Sequence, residues 1–387
     1  MGGWPGKFII GLTGNIATGK SVVRKMLEHL EAYTIDADAL SHRAIAAGSP
    51  GYKAVVDLFG KWILDAEGQI DRAKLGRLTF ADPAAMQKLE SIIHPLVRQA
   101  IDILARRATQ KVVVIEAIKL LDGDLYKLCD SIWVTQTTPE IQLARLVQKR
   151  GMTEADARQR IAVQGDGKDK LARANVVIHN SGSFEETWRQ VSAAWQTLFP
   201  TADTGAVEVA QTAAPAAGSA PAAGLALKVV RGKPRQASEI AEFITRMSGG
   251  KRKMTRDDVM AAFGEKAFML LKAQDKIVGI MGWQVENLVT RVNDMYIEDS
   301  IPLVEAAGPM LEQVEQNSRE LQCEAALLFV PPHLAQQSVV WQRVGYDQRD
   351  IDGLGVRAWQ EAARESAVPG MVMLFKQLRQ DRVLRPV

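Results

Sequence analysis

The chain has 387 residues, of which 47% are hydrophobic and 24% charged, and a formal net charge of +3. That mix excludes a disordered, collagen-like or coiled-coil chain, and no apolar run reaches the ~18 residues a membrane helix needs. Neither half is basic enough to read as a nucleic-acid surface.

The length suggests two or three domains. Cys129 and Cys323 lack metal-ligand spacing and read as buried thiols of a reduced compartment. The start of the chain shows neither a leader pattern nor a myristoylation pattern, so a cytoplasmic protein is expected.

The first apolar run, Phe8-Ile9-Ile10, leads into Gly11-Leu12-Thr13-Gly14-Asn15-Ile16-Ala17-Thr18-Gly19-Lys20-Ser21. Gly14 to Ser21 fit the G-x-x-x-x-G-K-[ST] phosphate loop in full. Gly14 and Gly19 let backbone N–H groups turn toward a phosphate, and the following helix adds its positive end. Lys20 reaches the β- and γ-phosphates of a nucleotide, and the Ser21 hydroxyl can ligate Mg²⁺. Val22, Val23, Met26, Leu27 and Leu30 recur at helical spacing after the loop.

A second strand, Tyr33-Thr34-Ile35, ends at Asp36-Ala37-Asp38, two carboxylates at the end of a parallel strand where doubly wound sheets bind ligands. Either could orient an acceptor hydroxyl, help hold Mg²⁺, or cap the next helix. Further strands fall at Val112–Ile115, Ser131–Val134 and Val176–Ile178. Runs apolar throughout are buried on both faces, so the fold class is α/β, a parallel sheet with helices on both faces. Thr138-Pro139 opens one helix and Thr153 with Asp156 another, with Gly151 between them. That arrangement suits a lid that closes over the site.

From Thr201 to Ala226, eleven of twenty-six residues are Ala, with Pro215 and Pro221 among them. This stretch reads as a flexible linker, with a capped Ala-rich helix as the alternative. The division is 1–200, 201–226 and 227–387. The last part is α+β. It has a strand near Leu227–Val230, a helix carrying Ile240, Phe243, Ile244 and Met247, and a second helix capped by Thr255 and Asp258. Strands at Phe268–Ala273, Ile277–Gln284 and Val289–Ile297 follow. A helix over Leu303–Leu321, a strand Ala325–Val330, a helix Leu334–Val344 and a strand Met371–Phe375 complete it.

The phosphate loop, Ile35-Asp36-Ala37-Asp38, His94-Pro95-Leu96, the Gln142/Arg145/Arg150 helix and Ile178-His179-Asn180-Ser181-Gly182, in this order, resemble the dephospho-CoA kinases over about residues 7–200. The resemblance implies a P-loop fold and transfer of the γ-phosphoryl of ATP to the ribose 3′-hydroxyl of dephospho-CoA, the last step of CoA synthesis. It implies Asp38, Lys20 and Arg145 as catalytic groups. ATP would lie on Gly14, Asn15, Ile16, Ala17, Thr18, Gly19, Lys20 and Ser21, under Arg145 and Arg150, with Asn180 and Gly182 near its adenine. Asp36, Asp38, His94 and Glu116 would line the acceptor side, and Ser21 would take Mg²⁺.

The bland alternatives are a helix-entry role for His94 and solvated charges for the arginines. The segment Glu116-Ala117-Ile118-Lys119-Leu120-Leu121-Asp122 departs from the family's Asp-x-Pro-Leu-Leu-x-Glu. Asn15-Ile16-Ala17-Thr18 replaces its usual Gly-Ile-Gly-Ser.

The second part resembles GNAT-type acyltransferases from about Leu227 to Leu378, through its element order and Trp341-Gln342-Arg343-Val344-Gly345-Tyr346. The resemblance puts the pyrophosphate loop at Leu303–Gly308, where Glu305 brings negative charge, and the usual acid at Trp341, which cannot serve as one. A non-catalytic module is therefore expected. The expected partners are dephospho-CoA, with room for CoA or acyl-CoA binding by the second part and for self-association, and neither nucleic acid nor membrane. The alternatives are a nucleotide-binding regulatory protein, another small-molecule kinase, or a bifunctional kinase with an active N-acyltransferase.

Overall fold

A computed structural model describes residues 4–200, 227–286 and 288–379. The expected linker, 201–226, lies outside them. Five strands, β1 (Phe8–Gly14), β2 (Tyr33–Asp36), β3 (Val112–Glu116), β4 (Ser131–Gln136) and β5 (Val176–His179), form one sheet in the order β2-β3-β1-β4-β5. Every pairing in it is parallel.

Successive strand residues face opposite sides, which fixes the two layers. Ile10, Leu12, Val112 and Val114 pack with Val23, Met26 and Leu27 of helix Lys20–His29 and Val191 of helix Phe184–Leu198. Ile9, Val113 and Ile115 face the other way, onto Leu40 and onto Val97, Ile101 and Leu104 of helix Pro83–Arg107. The apolar runs are thus buried on both faces, as a parallel sheet requires.

Seven further strands make a second sheet: β6 (Leu227–Arg231), β7 (Ala267–Ala273), β8 (Lys276–Glu286), β9 (Val289–Ile297), β10 (Ala325–Val330), β11 (Asp347–Gln348) and β12 (Val372–Gln377). Their order is β11-β12-β10-β9-β8-β7-β6. The β9–β10 pair is parallel and the other pairs are antiparallel. Helix Leu303–Glu320 packs Met310, Leu311 and Val314 on one face, over Met281, Leu328 and Trp341. Helices Ala237–Met247 and Arg256–Ala262 cover part of the other.

Two expectations change here. The helix expected over Leu334–Val344 is two short helices, Pro332–Ala335 and Ser338–Arg343. A ten-residue helix, Arg357–Ser366, adds a layer over β10 and β12 that was not expected. Cys323 is buried and Cys129 half-buried, and burial pushes both thiols up to about 12. Among the described residues no helix is long and apolar enough to cross a membrane.

Candidate active site

The strand order puts β1 between β3 and β4, so the chain leaves β1 at the point where the sheet's winding reverses. Ligands gather beyond the carboxyl ends of the strands at such a point. The loop Gly14–Ser21 leaves β1 there. Gly14 cannot carry a side chain, because a Cβ would come within 2.6 Å of the Thr135 carbonyl oxygen. Gly19 has φ +93° and caps helix Lys20–His29, and a Cβ there would collide with the Asn180 amide.

Side chains outside the loop hold its shape. Three successive carbonyls accept from them: Ile16 O from Gln142 Nε2 at 2.7 Å, Ala17 O from Arg145 Nη1 at 3.1 Å, and Thr18 O from Asn180 Nδ2 at 3.0 Å. Arg145 Nη2 also donates to Asn180 O at 2.8 Å, and Asn180 Oδ1 accepts from Thr187 at 3.0 Å. Thr18 Oγ1 meets Thr135 Oγ1 at 2.7 Å. Drawing the carbonyls outward leaves the loop's interior to N–H groups, the condition for an anion cradle. Lys20 is buried and donates to Gly14 O and Asn15 O, both at 3.2 Å.

The two helices expected as a lid start where the capping signals put them. Thr138 accepts from Ile141 N to start helix Pro139–Arg150, and Gly151 ends it with φ +61°. Thr153 caps helix Glu154–Gln164. That second helix touches the loop too: Gln164 Oε1 accepts from Ile16 N at 2.6 Å, and Asn15 Nδ2 donates to Gly165 O at 3.0 Å.

The acidic side lies across β2 and β3, where Asp36 and Glu116 are register partners. Asp36 caps helix Ala37–Ala44 by accepting from Ala39 N at 2.8 Å. Asp38 Oδ2 accepts from Ile118 N at 3.1 Å. Burial, and then Asp36, hold the Asp38 carboxyl above the ordinary carboxylate range. Burial also pushes Glu116 up, against the pull of Arg24, whose Nε donates to Glu116 Oε2 at 2.6 Å. Ser21 Oγ, on an exposed residue, stands 3.4 Å from Glu116 Oε1.

The loop residues, Arg145, Asn180, Asp36, Asp38 and Glu116 therefore meet at one end of the sheet. His94 is exposed in mid-course of helix Pro83–Arg107 beside Pro95, rather than at a helix entry. Gly182 precedes Ser183, the cap of helix Phe184–Leu198, and a Cβ on it would run into the Glu186 carboxylate. Arg150 ends its helix, and its side chain lies outside the described residues. Two neighbours escaped the sequence reading. Arg24 is one. The other is Lys170, half-buried, which donates to Ile118 O at 3.2 Å and whose ammonium burial holds below its ordinary range, against the pull of Asp122 and Asp38. Only their place after the loop and in a Lys-Asp-Lys run marked them.

Residues 8–186 match the family model described as dephospho-CoA kinase. Over 195 residues the chain is 40% identical to the dephospho-CoA kinase of Geobacter sulfurreducens, covering 50% of this chain and 99% of that one. It is 43% identical over 190 residues to the dephospho-CoA kinase of Streptomyces avermitilis, covering 49% and 93%. The solved structure of a GNAT-family acetyltransferase from Staphylococcus aureus is also similar to part of the chain, at 15% identity and a TM-score of 0.32, over 40% of this chain and 100% of that one. With nearly the full length of its relatives contained in its first half, the chain belongs to the dephospho-CoA kinase family.

Proposed function

We propose that this chain transfers the γ-phosphoryl group of ATP to the ribose 3′-hydroxyl of dephospho-CoA, giving CoA and ADP in the cytoplasm. The observation that carries the reading is the meeting of a complete phosphate loop with Asp36, Asp38 and Glu116 at one end of a parallel sheet. As the acceptor oxygen bonds to the γ-phosphorus, the bond to the bridging oxygen of ADP breaks. Asp38 orients the hydroxyl and takes its proton, for which a carboxyl held above its ordinary range is suited. Asp36 acts on it through space, as its negative neighbour.

Lys20 and Arg145 neutralise phosphate charge, with Arg150 following from the lid. Asn180 and Gly182 border the nucleotide, and His94 and Glu116 belong to the acceptor side of the sheet. Ser21 would hold Mg²⁺, with Glu116 beside it. A hydroxyl and a carboxylate suit that hard cation, and the described residues contain no cluster of three or more His, Cys, Asp or Glu to cage it. Mg²⁺ ordinarily keeps waters and phosphate oxygens as its other ligands. When bound, it supplies charge neutralisation at the phosphate oxygens.

ADP release from the purified chain, measured over a panel of acceptor alcohols, tests the reading. Turnover with dephospho-CoA well above all others is expected. Preference for a nucleoside or nucleotide acceptor would replace it with another small-molecule kinase.

We infer three parts: 1–200, 201–226 and 227–387. The last is a binding module without acyl transfer. Trp341 is buried and donates its indole N–H to Leu334 O at 2.8 Å, so it offers no acid, and Glu305 occupies the first turn of helix Leu303–Glu320. Isothermal titration with CoA and acetyl-CoA, beside a thiol-release assay with mixed amines, tests this. Sustained thiol release would make the chain bifunctional.

A further inference from the structure

A line of charged groups runs from the phosphate loop to the second domain. Arg24 lies one turn into helix Lys20–His29. Its Nε donates to Glu116 Oε2 at 2.6 Å, while Glu116 Oε1 faces Ser21 Oγ at 3.4 Å. The other edge of the guanidinium meets Glu28, with Nη1 3.2 Å from Oε1. Glu28 is fixed in turn by Lys25 Nζ at 2.5 Å and Thr34 Oγ1 at 2.6 Å. The second domain closes the line. Arg231, the last residue of β6, donates to Glu28 O at 3.3 Å, and the Phe263 carbonyl oxygen lies 2.8 Å from Nε2 of His29, the next residue.

The Arg24 and Glu116 side chains are 13% and 5% exposed, so the protein rather than water sets their geometry. A planar guanidinium can hold two carboxylates on separate edges at once, which an ammonium does less well. Arg24 touches neither the loop's interior nor Asp38, and the phosphate chemistry described above makes no use of it.

We propose that Arg24 is a positioning residue for phosphoryl transfer, occupying one oxygen of Glu116 so that the other is presented beside Ser21, and that Glu28 ties this arrangement to Arg231 of the second domain. The inference rests on the reading of Ser21 and Glu116 as the cation side of the site. The second domain then steadies the kinase site in addition to being attached to it.

The test compares full-length Arg24→Met, Arg24→Lys, Arg231→Met and Ser21→Ala with the unaltered chain. ADP affinity is titrated with and without Mg²⁺, alongside kcat, KM and thermal unfolding. Arg24→Met should weaken Mg²⁺-dependent ADP binding and kcat by about 10–100-fold, the usual effect of losing a partner of a metal ligand. ADP binding without Mg²⁺ and the KM for dephospho-CoA should hold. Arg24→Lys should recover part of the loss, and it carries the test alone if the methionine variant does not fold. Arg231→Met should shift the same Mg²⁺-dependent quantity by about fivefold, the low end of coupling between sites.

Unchanged Mg²⁺ dependence in a folded Arg24→Met variant overturns the positioning role. So does an equal loss of ADP binding with and without Mg²⁺, which assigns Arg24 to the fold. An Arg231→Met chain indistinguishable from the original overturns the link to the second domain. Ser21→Ala separates the two levels. If it too leaves the Mg²⁺ dependence intact, the cation side is misplaced and the inference falls with it; if it alone shifts, only the inference falls.

Discussion

Ala17 turns the phosphate loop through φ +58°, a left-handed conformation, at a position where the resembling kinases usually carry Gly. The Cβ of an L-residue in that region costs roughly 1–2 kcal/mol, and a glycine would return part of that as unfolded-chain entropy. Ala17→Gly is therefore expected to stabilise the chain by under about 1 kcal/mol, a rise of about 1–2 °C in unfolding temperature, with turnover kept. An unchanged or lower midpoint would mean that the bonds of Arg145 and Gln142 hold the loop without strain.

Asp38 poses the opposite trade. Its folded-state pKa is raised, so the stability it contributes is complete at low pH and is lost as pH rises through the folded value. Asp38→Asn removes that loss at neutral pH and still offers an oxygen to Ile118 N–H. The variant is expected to melt higher while turning over about 10²-fold or more slowly. The acid limb of the unaltered enzyme's pH profile should lie above the ordinary carboxylate range, and the residual activity of the variant should lack it. A variant that turns over normally would move Asp38 out of the reaction.

At the scale of elements, helix Pro139–Arg150 shows how a neighbouring helix reads the loop. Gln142 and Arg145 are three residues apart, on one face, and address adjacent carbonyls. Removing the Gln142 bond should cost about 1 kcal/mol net, or about fivefold in ATP affinity, with dephospho-CoA affinity unchanged. Titration of Gln142→Ala with each ligand checks this, and equal losses for both would make Gln142 a fold residue only.

The elements also mark where the sequence is readable. The phosphate loop, β3 and the caps at Thr138, Thr153 and Thr255 follow from short-range chemistry, and the structure has them where that chemistry puts them. Helix Arg357–Ser366 was not legible because its buried face is Trp359 with Ala362, Ala363 and Ser366, small residues that make a weak apolar stripe. The break between Pro332–Ala335 and Ser338–Arg343 falls at Gln336-Gln337, which carry no breaker signal. Glu116 is an acceptor-side candidate in sequence through the family resemblance alone. Its bond to Arg24 depends on β3 and the loop-borne helix meeting across 92 residues of chain, which no local pattern encodes.

The whole molecule depends on a contact that was invisible in sequence, because charged side chains there read as surface. The Arg43–Glu324 pair joins helix Ala37–Ala44 to the turn before β10 at 2.6 Å, with side chains 11% and 1% exposed. Leu288 and Leu321 pack on the first domain's core, and Phe184 packs in clusters of both domains. The His29 ring lies edge-on to Phe263 and Trp188. Burial and Arg231 lower His29 to about 3, so it stays neutral in the fold, while the unfolded chain takes up its proton below about pH 6.5. Glu28, lowered to about 2, loses its contribution as pH falls below 4.5. Both signs agree: the stability from these two groups is complete above about pH 6.5 and declines toward pH 3, with the His29 share falling on the interface and the Glu28 share on the first domain.

A protease site inserted within 201–226 gives the measurement. After cleavage at neutral pH the halves are expected to co-elute and to melt in one transition, because the apolar contacts and the buried ion pair remain. Lowering the pH below about 6 should separate them, and His29→Gln should flatten that dependence between 6.5 and 4.5, where Glu28 is still ionised. Halves that part at neutral pH would show that the connecting chain, rather than this interface, holds the molecule together.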